Sequence, residues 1–206
     1  LLFGEHKMQD TYNPQLLKPN VSKNELIRYL SRRYQNLQIP VSVASYNPLV
    51  GTKQEGDTQW VRIKTLGDVD GGYFEGKGEL KLDDQVSIKW FLCPELQRKN
   101  RIMNRLRWGA GFIAFENKSE LFHHKMHPQT WRAFGIHQKR IWNRLYLVIE
   151  DKGLIQNAAR TQLKNPKTDA DPDFVAIGEY FRTNLPEYLL NEQRKLIAEK
   201  TNNLEI

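Results

Sequence analysis

His123, His124 and His127 lie close together in the chain with Glu120 just ahead of them, and imidazole and carboxylate are the side chains that hold zinc at neutral pH. His123 and His127, four apart, would share a metal if that stretch were helical. The rest of such a site is missing from the sequence. There is no His-Glu-x-x-His, no second cysteine to join Cys93, and no histidine after Asn143 to complete a nuclease of the His-Asn-His kind. The expectation is an exposed or phosphate-facing cluster without a metal, the exposed form being favoured.

A second stretch, Tyr146 to Lys164, combines stiffness with polar chemistry. Tyr146-Leu147-Val148-Ile149 reads as a buried strand, Glu150-Asp151-Lys152-Gly153 as an acidic turn, and the following short helical loop presents Arg160, Gln162 and Lys164. That is a rigid base holding a mobile polar tip. A surface ion pair of Arg160 with Glu150 or Asp151 is the plain structural alternative.

Charge is concentrated in the middle of the chain. The formal net charge is +7, and Arg98, Lys99, Arg101, Arg105 and Arg107 form a run without an acid, followed by Lys125, Arg132, Lys139, Arg140 and Arg144. Such a belt attracts phosphates by releasing counterions, on nucleic acid or on a nucleotide, and a solvated face explains it equally well. The candidate nucleic-acid contacts are Arg98, Lys99, Arg101, Arg105, Arg107, Lys139 and Arg140. Trp108, Trp131 and Trp142 are interleaved with them, as single-stranded nucleic acid would favour, but large aromatics bury most of their area and the core reading is preferred.

The elements that must position these groups can be read from periodicity. At 206 residues, with 39% apolar and 27% charged side chains, the chain has the means to bury a core without disulfide or metal staples. One compact domain with an irregular insertion is expected. Cys93, inside Trp90-Phe91-Leu92-Cys93-Pro94, reads as a buried thiol, and a lone cysteine fits a reducing compartment. No run of about 18 apolar residues occurs, so no membrane span is expected.

Asn20 or Ser22 can cap a helix carrying Leu26, Ile27, Leu30 and Tyr34, ending near Asn36. Val41, Val43 and Tyr46 alternate as a strand does, as do Trp60 to Thr65, Tyr73 to Leu82, and Val86 to Leu92. Two further strands are expected at Gly109 to Phe115 and at Leu145 to Ile149, the latter buried on both faces. Asp171-Pro172-Asp173 opens a helix that runs to Asn184, and Pro186 opens a second. The fold class is α+β: a mostly antiparallel sheet packed by helices, closed by a helical C-terminus.

On these residues the chain resembles the middle, or transducer, domain of the GHKL ATPases, the superfamily of gyrase, the heat-shock ninety chaperones, histidine kinases and the mismatch-repair ATPases. In the chaperone branch a strand and acidic turn lead to Asn-Leu-Ser-Arg, whose arginine reaches the γ-phosphate. Asn157-Ala158-Ala159-Arg160 is similar, with Ala159 in place of serine. In the topoisomerase branch a Gln-Thr-Lys loop takes that part, and Gln162 with Lys164 is a loose analogue. A bacterial branch of the superfamily shows a similar order of Tyr29-Leu30-Ser31-Arg32-Arg33-Tyr34, Trp90-Phe91-Leu92, Gly109 to Phe115, Glu120-Leu121 and Ala158 to Leu163.

The resemblance implies a transducer that contacts the γ-phosphate in trans through Arg160, with Gln162 and Lys164 as supporting contacts. It implies ATP and Mg bound mainly by an upstream ATPase domain of the same polypeptide, a cytoplasmic location, and a homodimer in the intact protein. Residues 1–10, where Leu1-Leu2-Phe3-Gly4 resembles the last strand of that ATPase domain, are read as its remnant, and residues 11–206 as the transducer-like domain. The magnesium-binding Glu and Asn pair and the Asp-x-Gly-x-Gly turn of such ATPases have no counterpart, since Asp68-Val69-Asp70-Gly71-Gly72 does not match. The chain is therefore expected not to turn over ATP alone. The alternative expectation is a basic nucleic-acid-binding module.

Overall fold

A computed structural model describes residues 23–43, 61–69, 73–95, 111–124, 127–157 and 162–202. Residues 1–10, the caps Asn20 and Ser22, and the strand residues Tyr46 and Trp60 lie outside the described residues.

The strands that alternate in sequence form the centre of the fold. β3 (Gly76–Lys81), β4 (Val86–Leu92), β5 (Phe112–Asn117), β6 (Glu120–His123) and β7 (Leu145–Asp151) make one sheet in the order β3-β4-β7-β5-β6. All its pairs are antiparallel except β5 with β7, which run parallel from Phe112↔Tyr146 to Glu116↔Glu150. The excursion between those two strands holds β6 and two short helices, α2 (Pro128–Ala133) and α3 (Lys139–Trp142).

β7 is central and buried on both faces. Leu145, Leu147 and Ile149 join Ile88, Trp90 and Leu92 on the face covered by helices, where Phe134, Ile141, Phe181 and Leu189 complete the core. Tyr146 and Val148 point to the other face, among Phe112, Ala114, Leu121 and Leu66. A near-continuous apolar run is what a strand with two covered faces requires, and each such side chain contributes roughly 1.5–3 kcal/mol by leaving water. The helical layer is closed by α4 (Phe174–Thr183) and α5 (Glu187–Asn202), the first capped by Asp173, whose carboxylate accepts from the Ala176 amide at 3.0 Å. Tyr188 of α5 stacks on Trp90, and that pair fills the space over β3, where a β-carbon at Gly76 or Gly78 would come within 2.8 or 2.7 Å of a ring.

Helix α1 (Lys23–Arg33) stops before Asn36 because the chain joins the sheet edge. Tyr34 bridges to Glu120 in β6, and the Gln35 amide donates to the Ser119 carbonyl at 2.8 Å. The β5–β6 turn received there is formed by Lys118 and Ser119, both left-handed at φ 51° and 67°, an arrangement that glycine and asparagine adopt more easily. β1 (Ser42–Val43) and β2 (Val61–Arg62) pair apart from the main sheet, and β2 ends at Arg62, before the Ile63 to Thr65 part of the expected alternation.

Candidate functional site

The stretch after β7 is built as a clamp. The Asp151 carboxylate accepts from the Gly153 amide at 2.8 Å and shapes the turn, while the Lys152 amide donates to the Gln85 carbonyl at 3.1 Å. Leu154 then drops into the core, and its carbonyl accepts from the Asn117 side-chain nitrogen Nδ2 at 3.1 Å. The next segment begins and ends in paired strands, and of the expected helical loop residues 158–161 lie outside the described residues. β8 (Ile155–Gln156) pairs antiparallel with β9 (Leu163–Lys164), and Leu163 returns the chain to the same core. The Asn157 amide donates to the Gln162 carbonyl at 3.0 Å, and the Gln162 amide to the Asn157 side-chain oxygen at 3.3 Å. Buried leucines thus pin both ends of the segment from Asn157 to Gln162.

Arg160 lies outside the described residues, as do Ala158, Ala159 and Thr161. Gln162 is exposed at the hairpin end. Lys164 pairs with Asp171 at 3.0 Å, and that contact, ahead of other influences, raises the pKa of its ammonium. Asp171 is itself largely exposed, so water can replace it with little loss. The two nearby acids are engaged elsewhere: Glu150 with Lys89 at 3.2 Å, and Asp151 with its own turn.

One carboxylate joins this hairpin to the far side of the sheet. Glu120 Oε2 accepts from the Gln156 amide nitrogen at 2.8 Å, while its Oε1 accepts from Arg33 Nε at 2.7 Å. The Arg33 guanidinium also sits 4.6 Å from the centre of the Phe122 ring, a cation–π contact. Glu120 and Arg33 are mostly buried, so the pair is shielded from solvent. Spacing could not reveal this group, because its members lie 36 and 87 residues apart.

The histidines are divided between elements. His123 ends β6, His124 follows it, and His127 caps α2 by accepting from the Gln129 amide at 3.3 Å, so the shared helical face assumed for His123 and His127 does not form. His123 Nε2 meets the Arg32 carbonyl at 2.7 Å and its ring packs edge-on against Phe112, while His124 stacks on Phe174. Desolvation first, and for His123 also the charges of Arg32 and Arg33, holds both imidazoles below their usual pKa, against which the Arg32 carbonyl pulls His123 upward. A base with a depressed folded pKa contributes stability that is present above its unfolded pKa and lost as pH falls through the folded one. Replacing both by glutamine should therefore flatten the fall in urea midpoint between about pH 7 and pH 5. Among the described residues no three of His, Cys, Asp and Glu gather as a metal site.

The basic belt is partly internal. Arg140 is held in a fork by Glu95 at 2.6 and 2.7 Å and reaches Glu199 at 2.9 Å, which raises its pKa still further. Arg144 is buried among Glu75, Glu192 and the Cys93 carbonyl. Lys139 is exposed on α3. Arg98, Lys99, Arg101, Arg105, Arg107, Trp108 and Lys125 lie outside the described residues. Trp131 is a core side chain, and Trp142 packs against the same core. Cys93 is buried, and desolvation pushes its thiol up to about 12, which leaves it protonated and unreactive at neutral pH. Among the described residues no helix is long and apolar enough to cross a membrane. Comparison with known proteins gives no match, whether to a protein-family model, a curated protein or a solved structure.

Proposed function

We propose that this chain is a transducer-like domain of a GHKL-type ATPase, in which the β8–β9 hairpin carries Arg160 towards the γ-phosphate of a nucleotide bound by another domain of the same polypeptide. The observation that carries this reading is the anchoring of the hairpin: it leaves the central strand directly, and Leu154 and Leu163 fix both its ends in the core. A guanidinium on such a base stabilises the charge that develops as the phosphoryl group transfers, and it senses the nucleotide because its partner leaves with the phosphate. Gln162, exposed just before β9, and Lys164, released from Asp171, are the supporting contacts. ATP and Mg are held mainly by the partner domain, the intact protein works as a homodimer, and the setting is cytoplasmic.

The test is ATP turnover by the polypeptide that includes the ATP-binding domain. Arg160→Ala should lower kcat at least about tenfold, with the urea midpoint unchanged. Turnover equal to the unmodified protein rejects the role. The second reading, a basic nucleic-acid-binding module, is favoured by the net charge of +7, although two belt arginines already have carboxylate partners. Binding to single-stranded DNA that falls steeply with salt would support that reading over the first.

A further inference from the structure

We infer that Glu120 is a positioning residue that couples helix α1 to the β8–β9 hairpin, an inference that rests on the transducer reading for its purpose but on the geometry for its existence. Its two carboxylate oxygens are divided between two elements that do not otherwise adjoin in sequence: Arg33 Nε from the last turn of α1 at 2.7 Å, and Gln156 Nε2 from the foot of the hairpin at 2.8 Å. The backbone of the same residue is engaged too, in the bridge to Tyr34. Around it the docking continues, with the Gln35 amide on the Ser119 carbonyl and His123 on the Arg32 carbonyl.

Three features make this a joint rather than a surface contact. Glu120 is only 17% and Arg33 only 20% exposed, so the charge-assisted bonds are little screened by water. The carboxylate is a single rigid plane, so a displacement of Arg33 that tilts it also moves the acceptor offered to Gln156. The turn that presents Glu120 is made of Lys118 and Ser119 in left-handed conformations, closed by the Asn117–Glu120 strand pair, and the Gln35 amide docks α1 directly onto its Ser119 carbonyl. A movement of α1 therefore reaches the hairpin through the Glu120 side chain, alongside the bond from the Asn117 side chain to the Leu154 carbonyl.

Hydrogen exchange on the 206-residue chain tests the joint without any nucleotide. The amides of Asn157 and Gln162, both hydrogen-bonded across the hairpin, are the reporters, and those of Leu147 and Val148 in β7 are the internal standard. Arg33→Ala should speed exchange at both reporters about tenfold while the β7 amides hold. Gln156→Leu should do the same, and the double variant should add little to either, as expected of one shared path. Glu120→Ala should match them, whereas Glu120→Gln should restore most of the protection, because Gln156 can turn its amide over and accept from the new one.

If Arg33→Ala accelerates exchange only in α1, or if the two substitutions add fully, the coupling does not exist. ATP turnover by the longer polypeptide separates this outcome from failure of the transducer reading. Hairpin exchange that responds to Arg33 while neither Arg160→Ala nor Glu120→Ala changes kcat leaves the joint standing and removes its proposed purpose. A fall in kcat in both, with the KM for ATP unchanged in Glu120→Ala, supports the two together.

Discussion

Arg144→Ala should lower the unfolding free energy by about 3–5 kcal/mol, the scale set by breaking a buried ion pair from one side. Arg144 is 8% exposed and lies in the turn between α3 and β7. Its guanidinium meets Glu75 ahead of β3, the Cys93 carbonyl at 3.0 Å after β4, and Glu192 of α5 at 3.0 Å. Three other parts of the fold therefore converge on one cation. Removing it leaves Glu192, 20% exposed, and Glu75, 36% exposed, without their cation, and the cost comes from those stranded charges, Glu192 above all, rather than from the pair's own net strength. Urea denaturation read by tryptophan fluorescence measures the loss directly. Arg140→Ala is the internal contrast, since Arg140 and its partners Glu95 and Glu199 are each about half exposed, and its effect should be far smaller. Equal effects of the two substitutions would show that Arg144 is solvated in solution and that α5 is not held to the sheet through it.

The sequence treats these two arginines alike, as members of one belt, and the difference between them shows where sequence reading stops. Periodicity is a local signal. It makes β4 visible, because Val86, Ile88, Trp90 and Leu92 all face one way, and β7, because two covered faces demand an unbroken apolar run. Helix α4 is visible through Asp173 and the spacing of Ile177 and Phe181, and α5 through Pro186. β6 is not, since its short Glu-Leu-Phe-His run has no period of its own and acquires strand geometry by pairing with β5. The histidines mislead for the same reason: the chain changes from strand to helix between His123 and His127, so a spacing of four carries no helical meaning there.

At the candidate site the division is similar. The strand and the acidic turn are legible as a rigid base, whereas Ile155 and Lys164, which pair as strands, read locally as part of a short helical loop. Neither β8 nor β9 has more than two residues, too few for alternation to register. The Arg33–Glu120–Gln156 connection depends on three distant segments meeting at a sheet edge, and only the topology brings them there. The parallel pairing of β5 with β7 is likewise a property of the whole fold, since nothing in either strand's own residues states which neighbour it takes.

That parallel pairing is open to a single-atom test. Gly111 immediately precedes β5, its amide donates to the Asn143 carbonyl at 2.9 Å, and a β-carbon there would lie 2.1 Å from the Trp142 carbonyl oxygen and 2.2 Å from that of Leu145. Both obstacles are backbone, belonging to the end of α3 and the start of β7, so neither can swing aside as a side-chain tip would. Gly111→Ala should consequently push the start of β5 away from β7, just where Phe112 pairs with Tyr146, and lift buried Phe112 and Ile113 out of register with their cores. We expect a loss of about 3 kcal/mol, at the upper end for overpacking because backbone must move, measured as a lowered urea midpoint. Gly153→Ala is the matched control: its β-carbon would meet only the Asp151 carboxylate, at 3.1 Å, and a slight rotation of that side chain relieves it. If Gly111→Ala is as stable as Gly153→Ala, the start of β5 is not packed against the α3–β7 turn, and β7 loses the neighbour that makes it a stiff base for the hairpin.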